Sequence, residues 1–175
     1  MLIMRQVVFV VRILVVGEIL KNIIFGDCKN FPHIFYMITI KQFNLKDVDY
    51  ILHWFSNTKN REFQRTKTID KDKALRLISS DKNKTVYGIY LDDALIGYAM
   101  LKYFYVKVEI GINIDEPFWG HGYGFEAMKL LEEKAKEKKY YKIEVLVNEH
   151  NERALKLYKK LGYKDTDLKI LEKEL

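Results

Sequence analysis

The sequence predicts a mixed α/β fold in which a single, mostly antiparallel sheet is flanked by helices. Three observations carry that expectation. Short runs of β-branched and aromatic residues alternate with polar ones at period two. Between them lie stretches whose apolar residues recur every three or four positions, as on one face of a helix. The resulting order, β-α-α-β-β-β-α-β-α-β, contains no internal repeat and no linker that would divide it.

Ile38 and Ile40 alternate with polar neighbours over residues 37–42, and Asn44 stands in a capping position for a following helix. Leu45, Val48, Ile51, Leu52 and Phe55 fall at helical spacing and predict that helix over 45–55. Asp70 can cap a second helix running to about Ser79, with Ala74, Leu75 and Ile78 inward. Residues 85–91 and 95–103 read as strands joined by a tight turn at Asp92-Asp93. Residues 106–114 continue the meander. Their even positions (Val106, Val108, Ile110, Ile112, Ile114) are apolar and their odd positions include Lys107, Glu109, Gly111 and Asn113, so one face is core and the other is open to chemistry. A helix to about Lys138 comes next, striped by Ala127, Met128, Leu131 and Ala135. Residues 142–147 predict another strand. After Asn151 a helix places Ala154, Leu157, Tyr158 and Leu161 on one face and stops at Gly162, and Tyr163 opens a last strand.

A chain of 175 residues suits one core. The domain reads as complete over 37–175, which leaves 1–36 as an appendage, either translated from an upstream start or an extra amphipathic element. Its apolar run, Val7 to Val16, is broken by Arg12 and is too short and charged for a membrane span or a secretory signal. Asp27 before Cys28 argues against a lipid anchor. With 49% hydrophobic and 31% charged residues the composition is that of a soluble globular protein. The net charge of +6 favours acidic ligands, but lysines interleaved with glutamates, as in Lys134, Lys136, Lys138 and Lys139, argue against dedicated nucleic-acid binding. Cys28, the one cysteine, allows no internal disulfide and fits a cytoplasmic location. No His and carboxylate set has metal-ligand spacing, so no metal is expected.

The run Trp119-Gly120-His121-Gly122-Tyr123-Gly124 lies between a predicted strand and a predicted helix. Alternate glycines allow a tight turn and a close approach of ligand to backbone, while unpaired N–H groups at the helix start attract an anion such as a pyrophosphate. A Walker loop would need Lys then Ser or Thr where Phe125-Glu126 stand, and the dinucleotide fingerprint would need glycine at Phe125. Neither fits.

Together with Asn151-Glu152-Arg153-Ala154, Leu157-Tyr158 and Leu161-Gly162-Tyr163, this loop resembles the GNAT superfamily of acetyl-CoA-dependent N-acetyltransferases over about Met37 to Lys164. Pro117, Phe118 and Trp119 look like the RimJ/RimL-like branch, which includes ribosomal-protein and polyamine N-acetyltransferases. The family often carries Arg or Gln where Trp119 stands, which leaves phosphate binding to the amides from Trp119 through Gly124. The resemblance implies that the strand ending at Ile114 splays from that at 142–147, opening an acyl-CoA cleft. Backbone groups around Ile112, Asn113 and Ile114 would then pair with the pantetheine arm, and one N–H would stabilise the oxyanion.

By the same resemblance Tyr158 would donate a proton or hydrogen bond to the departing thiolate; its periodicity alone also predicts a core tyrosine. A phenol of pKa about 10 against a thiol near 8.5 makes full transfer uphill by roughly 2 kcal/mol. Asn151 would contact the cofactor arm, cap its helix, or both. Glu109 is placed to accept the amine proton, directly or through water, or is an ion-paired strand residue. His121 reads as solvent-facing. The acceptor side, near the first two helices, includes His53, Trp54, Phe55, Arg61, Phe63 and Arg65. The expected activity is acetyl transfer to a primary amine, a protein terminus, a polyamine or another metabolite, by direct attack in a ternary complex of a monomer or homodimer with no membrane partner. A non-catalytic acyl-CoA-binding sensor is the alternative.

Overall fold

The computed structural model describes residues 37–64 and 68–167; the predicted appendage at 1–36 lies outside them. Five strands form one open sheet in the order β1-β2-β3-β4-β5 among the described residues. They are β1 (Ile38–Gln42), β2 (Lys84–Leu91), β3 (Ala94–Tyr103), β4 (Val108–Ile114) and β5 (Ile143–Glu144). The first four are antiparallel neighbours and β5 runs parallel to β4. The helices are α1 (Val48–Ser56), α2 (Lys71–Ile78), α3 (Tyr123–Glu137) and α4 (Glu152–Lys160). None of them is long and apolar enough to cross a membrane.

The two faces of the sheet are built by different segments. Leu101 and Ile110 are register partners on one face, where they pack with Ala127, Met128, Leu131 and Ala135, the stripe predicted for α3. Removing a side chain such as Leu131 from water stabilises the fold by about 2 kcal/mol. The opposite face carries Val86 and Tyr98 against Val48, Ile51, Trp54 and Phe55 of α1 and Ala74 and Ile78 of α2. Asp70 caps α2 as predicted, its carboxylate accepting from the Lys73 N–H at 2.7 Å.

Four expectations are corrected. The first helix does not run unbroken from Leu45: a 3-10 turn, Leu45–Asp47, precedes α1, because the Asn44 side chain accepts from the Lys46 N–H and tightens the start. Leu45 is consequently exposed. Val106 is also exposed rather than core, since residues 104–107 form the β3–β4 turn, with the Phe104 N–H donating to the Lys107 carbonyl at 2.9 Å. The strand predicted over 142–147 pairs only at Ile143 and Glu144. Residues 163–167 form no strand, and the remainder of that predicted strand lies outside the described residues.

Candidate active site

Strands β4 and β5 are register partners only at Val108–Ile143 and Glu109–Glu144, with the Val108 N–H donating to the Lys142 carbonyl at 3.0 Å. Beyond Glu109 the ladder stops and the strands part. A residue's N–H and C=O point to the same edge of a strand, alternating along it, so the main-chain groups of Ile110, Ile112 and Ile114 share the edge of Val108 and face the gap. The Ile114 carbonyl is partly used, accepting from the Trp119 indole N–H at 2.7 Å. Ile112 keeps its edge open.

The glycine loop lines the same cleft as Ile112 and Ile114 at the end of β4. Gly120 and Gly122 have φ of +82° and +84°, and a Cβ added at either would meet nothing within 4 Å. Left-handed backbone and empty space on the outer side together describe a turn shaped to admit something against its amides. The Trp119 N–H is turned back on the Glu116 carbonyl at 3.1 Å and that of Phe125 on Gly122 at 2.9 Å. Those of Gly120, His121, Gly122 and Gly124 have no hydrogen-bond partner among the described residues. They stand at the N-terminus of the 15-residue α3, where the helix dipole adds positive potential. The row of unpartnered donors is therefore narrower than the sequence predicts, and Trp119 lines the cleft beside it. Arg153 lies with its guanidinium 3.3 Å from the centre of that ring. His121, exposed, hydrogen-bonds the Trp119 carbonyl through Nδ1 at 2.8 Å and stacks on Tyr123.

These parts enclose a cleft of about 350 Å³ whose far wall is α4, with Asn151, Ala154, Leu157 and Tyr158 facing in and Lys156 and Lys160 at its rim. The Asn151 oxygen caps α4 by accepting from the Ala154 N–H at 3.1 Å, which leaves its amide NH₂ for the cleft. Tyr158 is buried, and burial pushes its phenol up to about 12. Its hydroxyl makes no hydrogen bond among the described residues although it lines the cleft. Behind it the Tyr163 ring lies 5.7 Å away, held by a 2.9 Å hydrogen bond from its hydroxyl to Glu132.

Glu109 projects from the opposite sheet face, as the alternation of β4 predicted. It is ion-paired with Lys102, its register partner on β3, at 2.8 Å. Its partner on β5, Glu144, is held by Lys107 at 2.5 Å and Lys142 at 3.5 Å, and the Lys107 hydrogen bond keeps its carboxyl below the usual range. Glu109 lines a second cavity of about 230 Å³ between the sheet and α1–α2. Asn113 and Gln64, hydrogen-bonded to each other at 2.8 Å, line both cavities and so stand where the two meet.

The acceptor-side residues are sorted by burial. Trp54 and Phe55 are core, stacked edge-to-face at 5.0 Å, while His53 is exposed. Phe63 lines the larger cleft, and Arg65 lies outside the described residues. Sequence reasoning missed Asn60. It is buried and donates to the Trp54 carbonyl and to Asp115, and it accepts from the Glu116 N–H at 2.8 Å, which ties the segment after α1 to the exit of β4. It gave no role of their own to Arg153, quoted only within the family signature, or to Gln64, whose partners are distant in sequence.

The profile of the Acetyltransferase (GNAT) family matches residues 48–163. Among solved structures, a domain from Methanocaldococcus jannaschii superposes with a TM-score of 0.67 at 26% identity, over 75% of this chain and 90% of that one. The PaiA N-acetyltransferase of Thermoplasma acidophilum, solved in complex with coenzyme A, gives 0.65 at 20% identity over 76% and 93%. A ribosomal-protein-alanine N-acetyltransferase from Brucella melitensis biovar Abortus gives 0.65 at 16% identity over 79% and 100%. No individually curated protein sequence matches the chain.

Proposed function

Because the chain belongs to the GNAT family of acetyltransferases, we propose that it transfers the acetyl group of acetyl-CoA to a primary amine by direct attack within a ternary complex. The observation that carries the reading is that β4 loses its pairing with β5 after Glu109 and its unpaired end shares one cleft with a turn whose amides at Gly120, His121, Gly122 and Gly124 are unpartnered among the described residues. The residues present fit the co-substrate. The four amides and the start of α3 suit its diphosphate, and Arg153, Lys156 and Lys160 add positive charge at the rim. The open edge of Ile112 suits the amides of the pantetheine arm, which would add to β4 as another strand.

The reaction needs a proton acceptor, an oxyanion donor and help for the leaving thiolate. Glu109 takes the first role on the acceptor side. Glu144, beside it, is the poorer base because its two lysines stabilise the carboxylate. A main-chain N–H of β4 at the gap serves the oxyanion. Tyr158 serves the sulfur. With its phenol near 12 against a thiol near 8.5, complete proton transfer is uphill by roughly 5 kcal/mol. The tyrosine therefore acts as a hydrogen-bond donor to a thiolate that leaves as the anion. The run Pro117-Phe118-Trp119 supports the branch containing ribosomal-protein and polyamine acetyltransferases, and the single cysteine supports a cytoplasmic setting.

The test is release of free coenzyme A thiol from acetyl-CoA over a panel of peptides, amino acids, polyamines and aminoglycosides. Amine-dependent release is expected with at least one class. Coenzyme A binding with no release for any amine would replace the enzyme by a binding module.

A further inference from the structure

The second cavity has a chemistry of its own. Its floor is the open face of β3 and β4, where Lys102 pairs with Glu109 and Met100 with Gly111. A Cβ added at Gly111 meets nothing within 4 Å, so the floor is bare at its middle. Phe55 of α1 and Leu77 of α2 form the roof. At the inner end stand Asn113 and Gln64, which also line the larger cleft, so the cavity opens toward that cleft. At about 230 Å³ it is smaller than the roughly 300–1,000 Å³ of sites that take a drug-sized ligand.

Charge decides what kind of amine fits. Among the described residues the one carboxylate lining this cavity, Glu109, is already balanced by Lys102 at 2.8 Å. A polyamine or aminoglycoside, with several cationic groups, needs several uncompensated carboxylates and finds none among the described lining residues, on a chain of net charge +6. An ion pair does offer two unused ends. The Lys102 ammonium has three donors and the Glu109 carboxylate has two oxygens, so each retains capacity after pairing. A molecule with an ammonium and a carboxylate on one carbon presents the complementary pair. Phe55, Leu77, Tyr98 and Met100 leave an apolar volume for one side chain of moderate size.

We propose that the acceptor is a free α-amino acid with an apolar side chain, its carboxylate on Lys102 and its amine on Glu109. This rests on the acetyltransferase reading above. The amine nitrogen forms a bond to the thioester carbonyl carbon, and the C–S bond breaks with its electron pair going to sulfur. Of the two protons the ammonium loses, one ends on the coenzyme A thiol and the other is released through Glu109. The products are an N-acetylamino acid anion, coenzyme A and one proton.

The experiment compares L-leucine and L-methionine with 3-methylbutylamine, L-leucine methyl ester, spermidine and a Leu-Gly-Gly peptide, by thiol release and by mass spectrometry of the product. The free amino acids are expected to exceed the decarboxylated amine and the ester by at least about tenfold in kcat/KM, the scale of a lost charged hydrogen bond. In Lys102→Met that advantage of leucine over 3-methylbutylamine should shrink by a similar factor, and the comparison among substrates on the unaltered protein needs no variant to fold. A preference for spermidine, the peptide or the carboxylate-free amine would overturn this inference and leave the acetyltransferase reading standing. Thiol release with no amine at all would remove both.

Discussion

Tyr158 shows how one buried side chain serves two readings at once. Its place on the apolar face of α4 makes it a core residue, and its hydroxyl reaches the cleft. Tyr158→Phe keeps the packing and removes only the oxygen. Thiol release should fall roughly ten- to hundredfold in kcat, the value of a hydrogen bond to a developing charge, while the dissociation constant of acetyl-CoA changes little. An unchanged kcat would remove the tyrosine from the reaction. Titration adds a second signature. The phenol ionises near 10 when unfolded and about 12 when folded, so the native state holds its proton more tightly. The stabilisation is complete below pH 10 and is lost between about 10 and 12, a change on the order of 2–3 kcal/mol. Alkaline unfolding curves of wild type and Tyr158→Phe should diverge in that window, the variant being the less sensitive. A coincident pair of curves would mean that the phenol is not buried as described.

At the scale of the element, the glycine turn and the parted strands were legible to different degrees. The turn could be read because Gly120 and Gly122 need a backbone that other residues avoid, and residue type signals that directly. Gly122→Ala tests whether the shape serves folding or a ligand. The left-handed φ of +84° costs alanine about 1 kcal/mol, while its methyl group enters space that is otherwise empty. Chemical denaturation should show that modest loss, and calorimetry should show acetyl-CoA affinity reduced well beyond tenfold. A loss of stability with unaltered affinity would make the turn purely structural. The short β5 could not be read in the same way. The pattern over 142–147 suits a strand of six residues, but pairing also needs a neighbour within reach, and the divergence from β4 after Glu109 is a tertiary fact. The same holds for Val106, apolar and in phase with β4 yet placed in a turn. It holds as well for Asn60 and Gln64, whose partners lie 55 and 49 positions away. Periodicity reports which face of an element is buried and says nothing of where that element ends or what crosses to it.

For the domain as a whole, the sheet separates two tasks. One face, with α3 beneath the cleft and α4 along it, gathers amides that have no partner among the described residues and the cations Arg153, Lys156 and Lys160 around the glycine turn proposed to hold the diphosphate. The other face, with α1 and α2, keeps a smaller and electrically balanced cavity. On the proposed reading, this division should make cofactor binding strongly electrostatic and largely dependent on the diphosphate end of the molecule. A ligand that binds only the native state at a hundred times its dissociation constant stabilises it by about 2.7 kcal/mol. For a domain of this size that raises the melting temperature by on the order of 5–10 °C. Coenzyme A should give such a shift at low ionic strength. Pantetheine at the same concentration lacks the diphosphate and nucleotide and keeps only the strand-like pairing with β4, so it should shift melting far less. Raising the salt toward about 0.5 M should weaken the coenzyme A shift while leaving that of pantetheine nearly constant, since screening acts on charge and not on main-chain hydrogen bonds. Equal shifts for the two ligands, or a coenzyme A shift indifferent to salt, would mean that the amides of Gly120, His121, Gly122 and Gly124 do not carry the diphosphate.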